Sequence, residues 1–225
     1  ATGAERAWPP DPAMDTGPAR IERSGSTGWR IESPVNRMGL REVKELRIEG
    51  PSAAVLEFTV ENTTSGLVTA GPWVNTAVAP GSVIAVRMMP TTDVWGWNDE
   101  SIARFRAVTR FVDGTGWAIV EPDKADWEGG IKVYLDAAPE IAIWREGYWL
   151  HRVQTARDDG RLRRVGEGPV ALYIQPAKGG EVAIVEAELY GRIADIPPMG
   201  SHAGTERWMV VPSATADASA LPRGK

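Results

Sequence analysis

Turn-forming residues divide this chain into short segments, and this division limits what the chain can fold into. The 24 glycines and 17 prolines are spread along all 225 residues. Several glycine dipeptides are typical of tight turns, namely Asp113-Gly114, Gly129-Gly130, Asp159-Gly160 and Gly179-Gly180. A helix is therefore hard to place, and short extended segments are predicted instead.

Between the turns, the commonest pattern is an alternation of apolar and polar residues with period two. In AVLEFTVEN, the apolar Leu56, Phe58 and Val60 share one face, as on a strand with one side against a core. GEVAIVEAELYG alternates in the same way. Further strands are predicted at Trp29–Ser33, Leu67–Ala79, Val83–Met88, Arg104–Val112, Trp117–Glu121, Ile131–Leu135, Glu140–Trp144, Trp149–Gln154, Val170–Gln175 and Glu206–Val211.

Met38–Ile48 is the best helix candidate, because Leu40, Val43 and Leu46 have helical spacing. It also alternates from Glu42 onward, so we interpret it as a bent strand or a strand pair. About a dozen short strands with turns every 8–12 residues predict an all-β sandwich or barrel. Without a repeat or linker, we expect one domain over residues 8–211, a frayed N-terminus at 1–7 and a flexible C-terminal tail at 212–225.

Charge and composition exclude several classes of function. A formal net charge of −5 argues against nucleic acid or an anionic membrane as the main partner. The arginines at 157, 161, 163 and 164 are interrupted by acidic residues and fit a solvated hairpin tip. No apolar run approaches the roughly 18 residues of a membrane span. The compartment is left open between a cytoplasmic and an exported protein.

Metal and cofactor chemistry has little support. The absence of cysteine excludes disulfides, thiolate metal sites and a cysteine nucleophile. With two histidines, His151 and His202, a converging metal ligand set is not expected. No phosphate-binding loop or nucleophile elbow is present. We therefore predict no metal and no cofactor.

Carboxylates are the remaining catalytic candidates. Glu186 and Glu188 are two residues apart on a predicted strand, so they share a face about 7 Å apart. They fit an acid–base pair, or a solvated sheet face. Glu206 opens the last strand near Trp208, and is either a base facing a pocket or a surface glutamate.

The tryptophans carry the remaining signal. Trp73 lies in a strand, and Trp95 and Trp97 belong to WGWN, which we interpret as a loop between strands. Sugar sites combine aromatic faces with polar side chains that bind hydroxyl groups. The polar candidates here are Asn75, Arg87 and Asn98, with Glu206. The alternative is that the indoles fill a core or cap the end of a sheet.

Three segments of the chain resemble an uncharacterised bacterial family of the galactose mutarotase-like group. They are WPPDP at Trp8–Pro12, VENTTSGLVTAGPWVNT at Val60–Thr76 and VEAELYGRIADIPPMGSHAGTERW at Val185–Trp208. The resemblance extends from about residue 8 to residue 211. It implies a large antiparallel β-supersandwich. Relatives usually begin with several more strands, so it also implies a fold that is incomplete or divergent at the N-terminus.

The resemblance also bears on activity. Mutarotases use a glutamate base and a histidine acid, and the acid lies in a strand that matches Asn62–Asn75. In this chain Pro72 or Trp73 takes the place of the histidine, and neither can transfer a proton, while Glu206 is the position that corresponds to the base. A carbohydrate-binding domain is therefore expected, without aldose epimerisation.

Two further readings remain open. The first is a sugar-active enzyme, an epimerase or lyase-like activity, that uses Glu206 or the pair Glu186 and Glu188 as base and Tyr148 or Tyr173 as acid. The second is a structural or interaction module with no ligand site.

Overall fold

The computed structural model describes residues 11–15, 17–90, 92–124, 129–156, 168–176 and 182–222. The expected frayed N-terminus, the arginine cluster from Arg157 to Arg164, and the turns Asp159-Gly160 and Gly179-Gly180 lie outside the described residues. Within them, strands dominate, and the prediction of an all-β fold is confirmed.

The described elements are seventeen strands, two α-helices and two turns of 3-10 helix at Pro122–Lys124 and Ala218–Ala220. The helices are α1 (Pro12–Asp15) and α2 (Asp99–Ala107). The strands are β1 (Arg20–Ser24), β2 (Gly28–Glu32), β3 (Leu40–Gly50), β4 (Ala53–Asn62), β5 (Val68–Ala70), β6 (Trp73–Val78), β7 (Val83–Arg87), β8 (Val94–Gly96), β9 (Thr109–Val112), β10 (Trp117–Val120), β11 (Ile131–Leu135), β12 (Glu140–Arg145), β13 (Tyr148–Ala156), β14 (Val170–Pro176), β15 (Val182–Tyr190), β16 (Ala194–Ile196) and β17 (Ser201–Pro212).

The chain divides into two compact units. The described part of unit 1 is residues 11–15, 17–72, 155–156 and 191–207. The described part of unit 2 is residues 73–90, 92–124, 129–154, 168–176, 182–190 and 208–222. The expectation of a single domain over 8–211 stays a prediction.

Unit 1 is built on an antiparallel meander in which β1, β2, β3 and β4 pair in chain order. The alternation of β4 turns Phe58 and Val60 into the interior, where both side chains are buried. Val60, Leu40 and Ile196 form a small core cluster. Gly204 approaches the ring of Phe58 so closely that a Cβ atom there would lie 2.3 Å from a ring carbon.

Asn62, the first residue of the N-T-T segment, fixes the turn that follows β4. Its buried side-chain Nδ2 donates to the carbonyl oxygens of Gly66 at 2.7 Å and of Ile196 and Pro197 at 3.0 Å. Its Oδ1 accepts from the amide of Thr64 at 2.9 Å. One side chain thus satisfies backbone groups from two separate segments, which explains its burial.

Unit 2 is a two-layer antiparallel sandwich. One layer has the strand order β13-β12-β7-β10-β9, and the other has the order β6-β15-β14-β11-β8. The two layers enclose a core of aliphatic side chains such as Ile84, Val133 and Leu172, all fully buried, with Phe105 from α2 packed against them. Because alternate residues point to opposite faces of a strand, each sheet also has a second face turned away from this core.

The second face of the β13-β12-β7-β10-β9 layer is covered by the segment 213–222. Trp117 and Trp149 pack there with Ala218 and Leu221, and all four are buried. The indole Nε1 of Trp117 donates to the carbonyl oxygen of Pro222 at 3.1 Å. The segment therefore packs within unit 2 as far as residue 222. The flexible tail expected at 212–225 stays a prediction for the residues beyond it.

Two predicted strands differ from the structure. The extended structure predicted for Met38–Ile48 is confirmed by β3. The strand predicted over Leu67–Ala79 is split into β5 and β6, because Pro72 has no amide hydrogen with which to continue a ladder. The strand predicted over Arg104–Val112 was wrong in its first half, because residues 104–107 belong to α2. Asn98 caps this helix, since its Oδ1 accepts from the amide of Ser101 at 2.8 Å.

Candidate functional site

The face of the β6-β15-β14-β11-β8 sheet that is turned away from the core carries aromatic and charged side chains. In each strand the alternate residues face the core, such as Val78, Leu172 and Val185. The remaining residues form what we call the aromatic face. Its aromatic and polar members include Trp73, Asn75, Trp95, Lys132, Tyr134, Tyr173, Glu186, Glu188 and Tyr190, with Trp97 directly after β8, and Ala77 and Ala171 lie among them.

The strand register sets the layout of this face. In one row across the sheet, Asn75 pairs with Glu188, Glu188 with Ala171, Ala171 with Tyr134, and Tyr134 with Trp95. Four spacings of about 4.8 Å between neighbouring strands give this row a length of about 19 Å. The row is long enough for more than one sugar ring, and its centre holds the small side chain of Ala171.

A buried ion pair lies at the middle of the aromatic face. The Nζ atom of Lys132 donates to Oε1 of Glu188. Lys132 is 8% exposed and Glu188 is 0% exposed. The second carboxylate oxygen of Glu188 accepts from the hydroxyl of Tyr190 at 2.6 Å. Both oxygens of Glu188 are thus occupied, as a buried carboxylate requires.

Tyrosine rings surround the ammonium group of Lys132. Its Nζ lies 5.8 Å from the ring centroid of Tyr134 and 5.8 Å from that of Tyr173. This is within the distance at which a ring face attracts a cation. The rings of Tyr134 and Tyr190 are 6.4 Å apart. The ammonium group of the pair therefore packs beside aromatic rings.

Glu186 lies beside this pair and has a perturbed acidity. Burial raises its pKa above the usual 4.5, a hydrogen bond with Asn75 opposes the shift, and the charge of nearby Glu188 raises the pKa further. Tyr173 faces Glu186 across the β14–β15 ladder. The pKa of Tyr173 is also raised, first by burial and then by the Glu186 charge. A carboxyl group whose pKa moves toward neutrality is suited to take up or release a proton.

Two tryptophans flank the charged centre. Trp73 stacks on Tyr190 with ring centroids 6.3 Å apart and an angle of 15° between the planes. Trp97 packs on Tyr173 at 5.7 Å with an angle of 53°. Trp97 is 60% exposed, so most of its indole surface is open to solvent. An exposed ring next to carboxylates and hydroxyls is the combination that holds the C–H surface and the hydroxyls of a sugar.

The structure brings most of the predicted binding residues together. Trp73, Asn75, Trp95 and Trp97 all belong to the aromatic face. The alternative pair Glu186 and Glu188, with the alternative acid Tyr173, belongs to the same face. Trp95 is part of β8 rather than of a loop, which corrects the loop expected for WGWN.

Arg87 and Asn98 do not join this group of side chains. Arg87 is buried on the second face of the other layer of unit 2. There its guanidinium lies 5.0 Å from the centroid of Trp117 and its Nη1 donates to the carbonyl oxygen of Thr115 at 2.6 Å. Asn98 caps α2, so its Oδ1 is engaged with backbone rather than open to a ligand.

Glu206 and Tyr148 are not part of the aromatic face either. Glu206 belongs to the β17 segment of unit 1 and is 0% exposed, so it is a buried residue rather than a surface one. Tyr148 lies at the β12–β13 hairpin and is mostly exposed.

Sequence reasoning missed three residues of the aromatic face, namely Lys132, Tyr134 and Tyr190. Their signal was present in IKVYL and in VEAELY, where polar or hydroxyl-bearing residues alternate with aliphatic ones. What the pattern did not contain was the pairing of β11 with β14 and of β14 with β15, which brings Lys132 and Tyr134 near Glu188. Tyr190 shares β15 with Glu188 and lies two residues from it.

Within the described residues, no group of three or more His, Asp or Glu side chains is arranged to hold a metal ion. Over the same residues, no helix has the length and apolar character needed to cross a membrane.

Comparisons with known proteins identify the fold. No family model matches the sequence, and no curated protein matches it. Among solved structures, a putative aldose 1-epimerase from Klebsiella pneumoniae is similar with a TM-score of 0.55 at 10% identity, over 90% of this chain and 56% of that one.

Two other similar structures have different descriptions. A TPR-domain-containing protein from Parabacteroides distasonis gives a TM-score of 0.53 at 12% identity, over 92% of this chain and 36% of that one. A galactose mutarotase-like protein from Lactobacillus casei gives a TM-score of 0.50 at 7% identity, over 85% of this chain and 72% of that one.

The chain thus has the galactose mutarotase-like β-supersandwich fold that the sequence resemblance implied. It spans 56% of the Klebsiella structure and 36% of the Parabacteroides one, so it corresponds to part of their length. At sequence identities this low, the likeness concerns the fold alone.

Proposed function

We propose that this chain is a carbohydrate-binding domain and that the aromatic face of unit 2 is its binding surface. The observation that carries the proposal is the grouping of Trp97, Tyr173, Asn75 and Glu186 around the buried pair Lys132–Glu188, on the sheet face opposite the core. The mutarotase-like fold supports a carbohydrate-related role.

The composition of the face favours sugar binding over a purely structural role. A solvated sheet face has no need for a fully buried carboxylate, whose desolvation costs several kcal/mol unless it is paired. Here Glu188 is buried and fully partnered by Lys132 and Tyr190. Such a rigid polar centre, flanked by indole surface, is preorganised for a ligand that carries several hydroxyl groups.

The test is a fluorescence titration of the intact chain with monosaccharides and oligosaccharides, because Trp97 and Trp73 report directly on this face. A saturable shift is expected, weakened roughly tenfold in Trp97→Ala by loss of one ring contact. Trp29→Ala is the matched control, since Trp29 is also exposed, at 39%, but belongs to unit 1. A folded chain that responds to no sugar would instead support the interaction-module reading.

A second candidate, a sugar-active enzyme, is favoured by the raised pKa of Glu186. In this reading Glu186 exchanges a proton with the sugar, and Tyr173, which faces it, is the hydroxyl partner. A polarimetric assay of sugar mutarotation distinguishes this enzyme hypothesis from binding alone. Loss of turnover in Glu186→Gln with retained affinity supports catalysis on the aromatic face. Loss in Glu206→Gln alone supports the base that the resemblance implies. No turnover in the unmodified chain leaves binding as the function.

A further inference from the structure

The one cation of the aromatic face is already neutralised inside the protein. Among the described residues of this face, Lys132 is the only basic side chain. Its ammonium group is paired with Glu188 and enclosed by the rings of Tyr134 and Tyr173. A ligand anion that recruited Lys132 would leave Glu188 buried without its counter-ion, at a large energetic cost.

Glu186 is the remaining charged group. It is half-buried, it is hydrogen-bonded to Asn75 and to Glu188, and the charge of Lys132 lowers its pKa. Within the described part of the chain, its carboxylate forms no ion pair of its own, because Lys132 is paired with Glu188. The charged or titratable groups around it are Glu188 on its own strand, Tyr173 on β14 and Lys132 on β11, while β6 contributes only the uncharged Asn75 and Ala77. Two carboxylates and one ammonium give the face a net formal charge of −1.

Aromatic surface adjoins the carboxylate of Glu186. Tyr173 is the cross-strand neighbour of Glu186, and the exposed indole of Trp97 packs on Tyr173. A cation at this position meets a carboxylate and at least one ring face together, and both attract it. An anion at the same position meets an uncompensated negative charge in a partly desolvated setting, where repulsion is strong.

We infer that the carbohydrate bound on the aromatic face carries a protonated amine, that Glu186 is the carboxylate that pairs with it, and that sugars bearing phosphate or carboxylate groups are rejected. The inference rests on the proposed function, which it makes more specific. Glu186 acts here as a specificity-determining residue, and the buried pair Lys132–Glu188 serves as a neutral, rigid floor.

Calorimetric titration of the full chain with glucosamine, glucose, N-acetylglucosamine and glucose 6-phosphate tests the inference. One charge-assisted hydrogen bond predicts that glucosamine binds about tenfold more tightly than glucose or N-acetylglucosamine. Glucose 6-phosphate is expected to bind more weakly than glucose. The preference for glucosamine should collapse in Glu186→Gln and persist in Glu57→Gln, a matched exposed glutamate on β4 of unit 1.

The pH dependence gives a second readout. Only the ionised carboxylate attracts an ammonium group, and the pKa of Glu186 is raised by burial. Glucosamine affinity is therefore expected to rise with pH through the titration of Glu186, while the amine of the ligand is still protonated. The glucose affinity should not follow this rise, so their ratio isolates the effect.

The outcomes separate the two proposals. Equal affinity for glucose and glucosamine, or a preference that survives Glu186→Gln, would overturn the inference and leave carbohydrate binding in place. Tighter binding of glucose 6-phosphate than of glucose would also overturn it. A folded chain that binds none of the four sugars, and no larger oligosaccharide, would overturn both.

Discussion

Replacing Lys132 by methionine should destabilise this protein more than any ordinary surface substitution. The substitution keeps an unbranched apolar side chain as far as Cε and removes the ammonium group. Glu188 would then keep its bond from the Tyr190 hydroxyl but lose its counter-ion, while remaining 0% exposed. Leaving one partner of a buried ion pair without the other costs about 3–5 kcal/mol.

The expected change is large enough for routine unfolding measurements. For a chain of 150–250 residues, each kcal/mol corresponds to about 2–4 °C in Tm, so Lys132→Met should lower Tm by roughly 6–20 °C. Unfolding in urea, followed by tryptophan fluorescence, gives the free energy directly. Lys44→Met is the matched control, because Lys44 pairs with Glu42 at 2.9 Å in a half-exposed setting, where such a pair contributes under about 1 kcal/mol.

A double-mutant cycle identifies the cause of the loss. In Lys132→Met/Glu188→Gln, no buried charge remains unpaired, so the double variant should be more stable than the sum of the single effects implies, by about 2–3 kcal/mol. Additive effects, or a cost for Lys132→Met no larger than that of Lys44→Met, would refute the reasoning that the pair is buried and mutually dependent.

Three further predictions concern Gly204, Asn62 and Glu186. Gly204→Ala should cost about 1–3 kcal/mol because its new methyl meets the Phe58 ring. Gly129→Ala, whose methyl meets no atom of the described residues within 4 Å, should stay within about 0.5 kcal/mol, and equal unfolding free energies would contradict the close contact at Gly204. Asn62→Ala should cost about 2–4 kcal/mol, measured in urea, because three buried or partly buried carbonyl groups lose their donor; a change under about 0.5 kcal/mol would show that water replaces it. Burial raises the pKa of Glu186 above 4.5, so the folded state binds the proton more tightly than the unfolded chain and its stability falls as pH rises above 4.5. Unfolding at several pH values should therefore show Glu186→Gln gaining stability relative to the unmodified chain as the pH rises above 4.5, and a constant difference would argue against the raised pKa.

The local alternation of apolar and polar residues was sufficient to predict most strands, but it did not predict helix α2. The alternation in AVLEFTVEN corresponds to β4, with Phe58 and Val60 buried as expected. Residues Asp99–Ala107 were not recognised as helical, although Asn98 followed by Asp99 and Glu100 is a helix N-terminus signature. The apolar spacing of this helix is weak, so the cap was the stronger signal.

The candidate site depends on long-range pairing, which one sequence does not contain. The segments of β6 and β15 lie more than 100 residues apart along the chain, yet Asn75 and Glu188 are direct neighbours across their ladder. Trp73 and Trp97 could be named as candidate binding residues from the sequence. Lys132 could not, because its importance comes from Glu188 on a strand that is not even adjacent to its own.

The packing of the segment 213–222 over Trp117 has a consequence for the chain during its synthesis. Trp117 and its hydrogen-bond partner Pro222 are 105 residues apart. At roughly 5–20 residues per second, the ribosome needs roughly 5–20 s to make that interval. Until residues 213–222 emerge, the indoles of Trp117 and Trp149 lack the cover of Ala218 and Leu221, so the nascent chain exposes an apolar surface that favours chaperone capture.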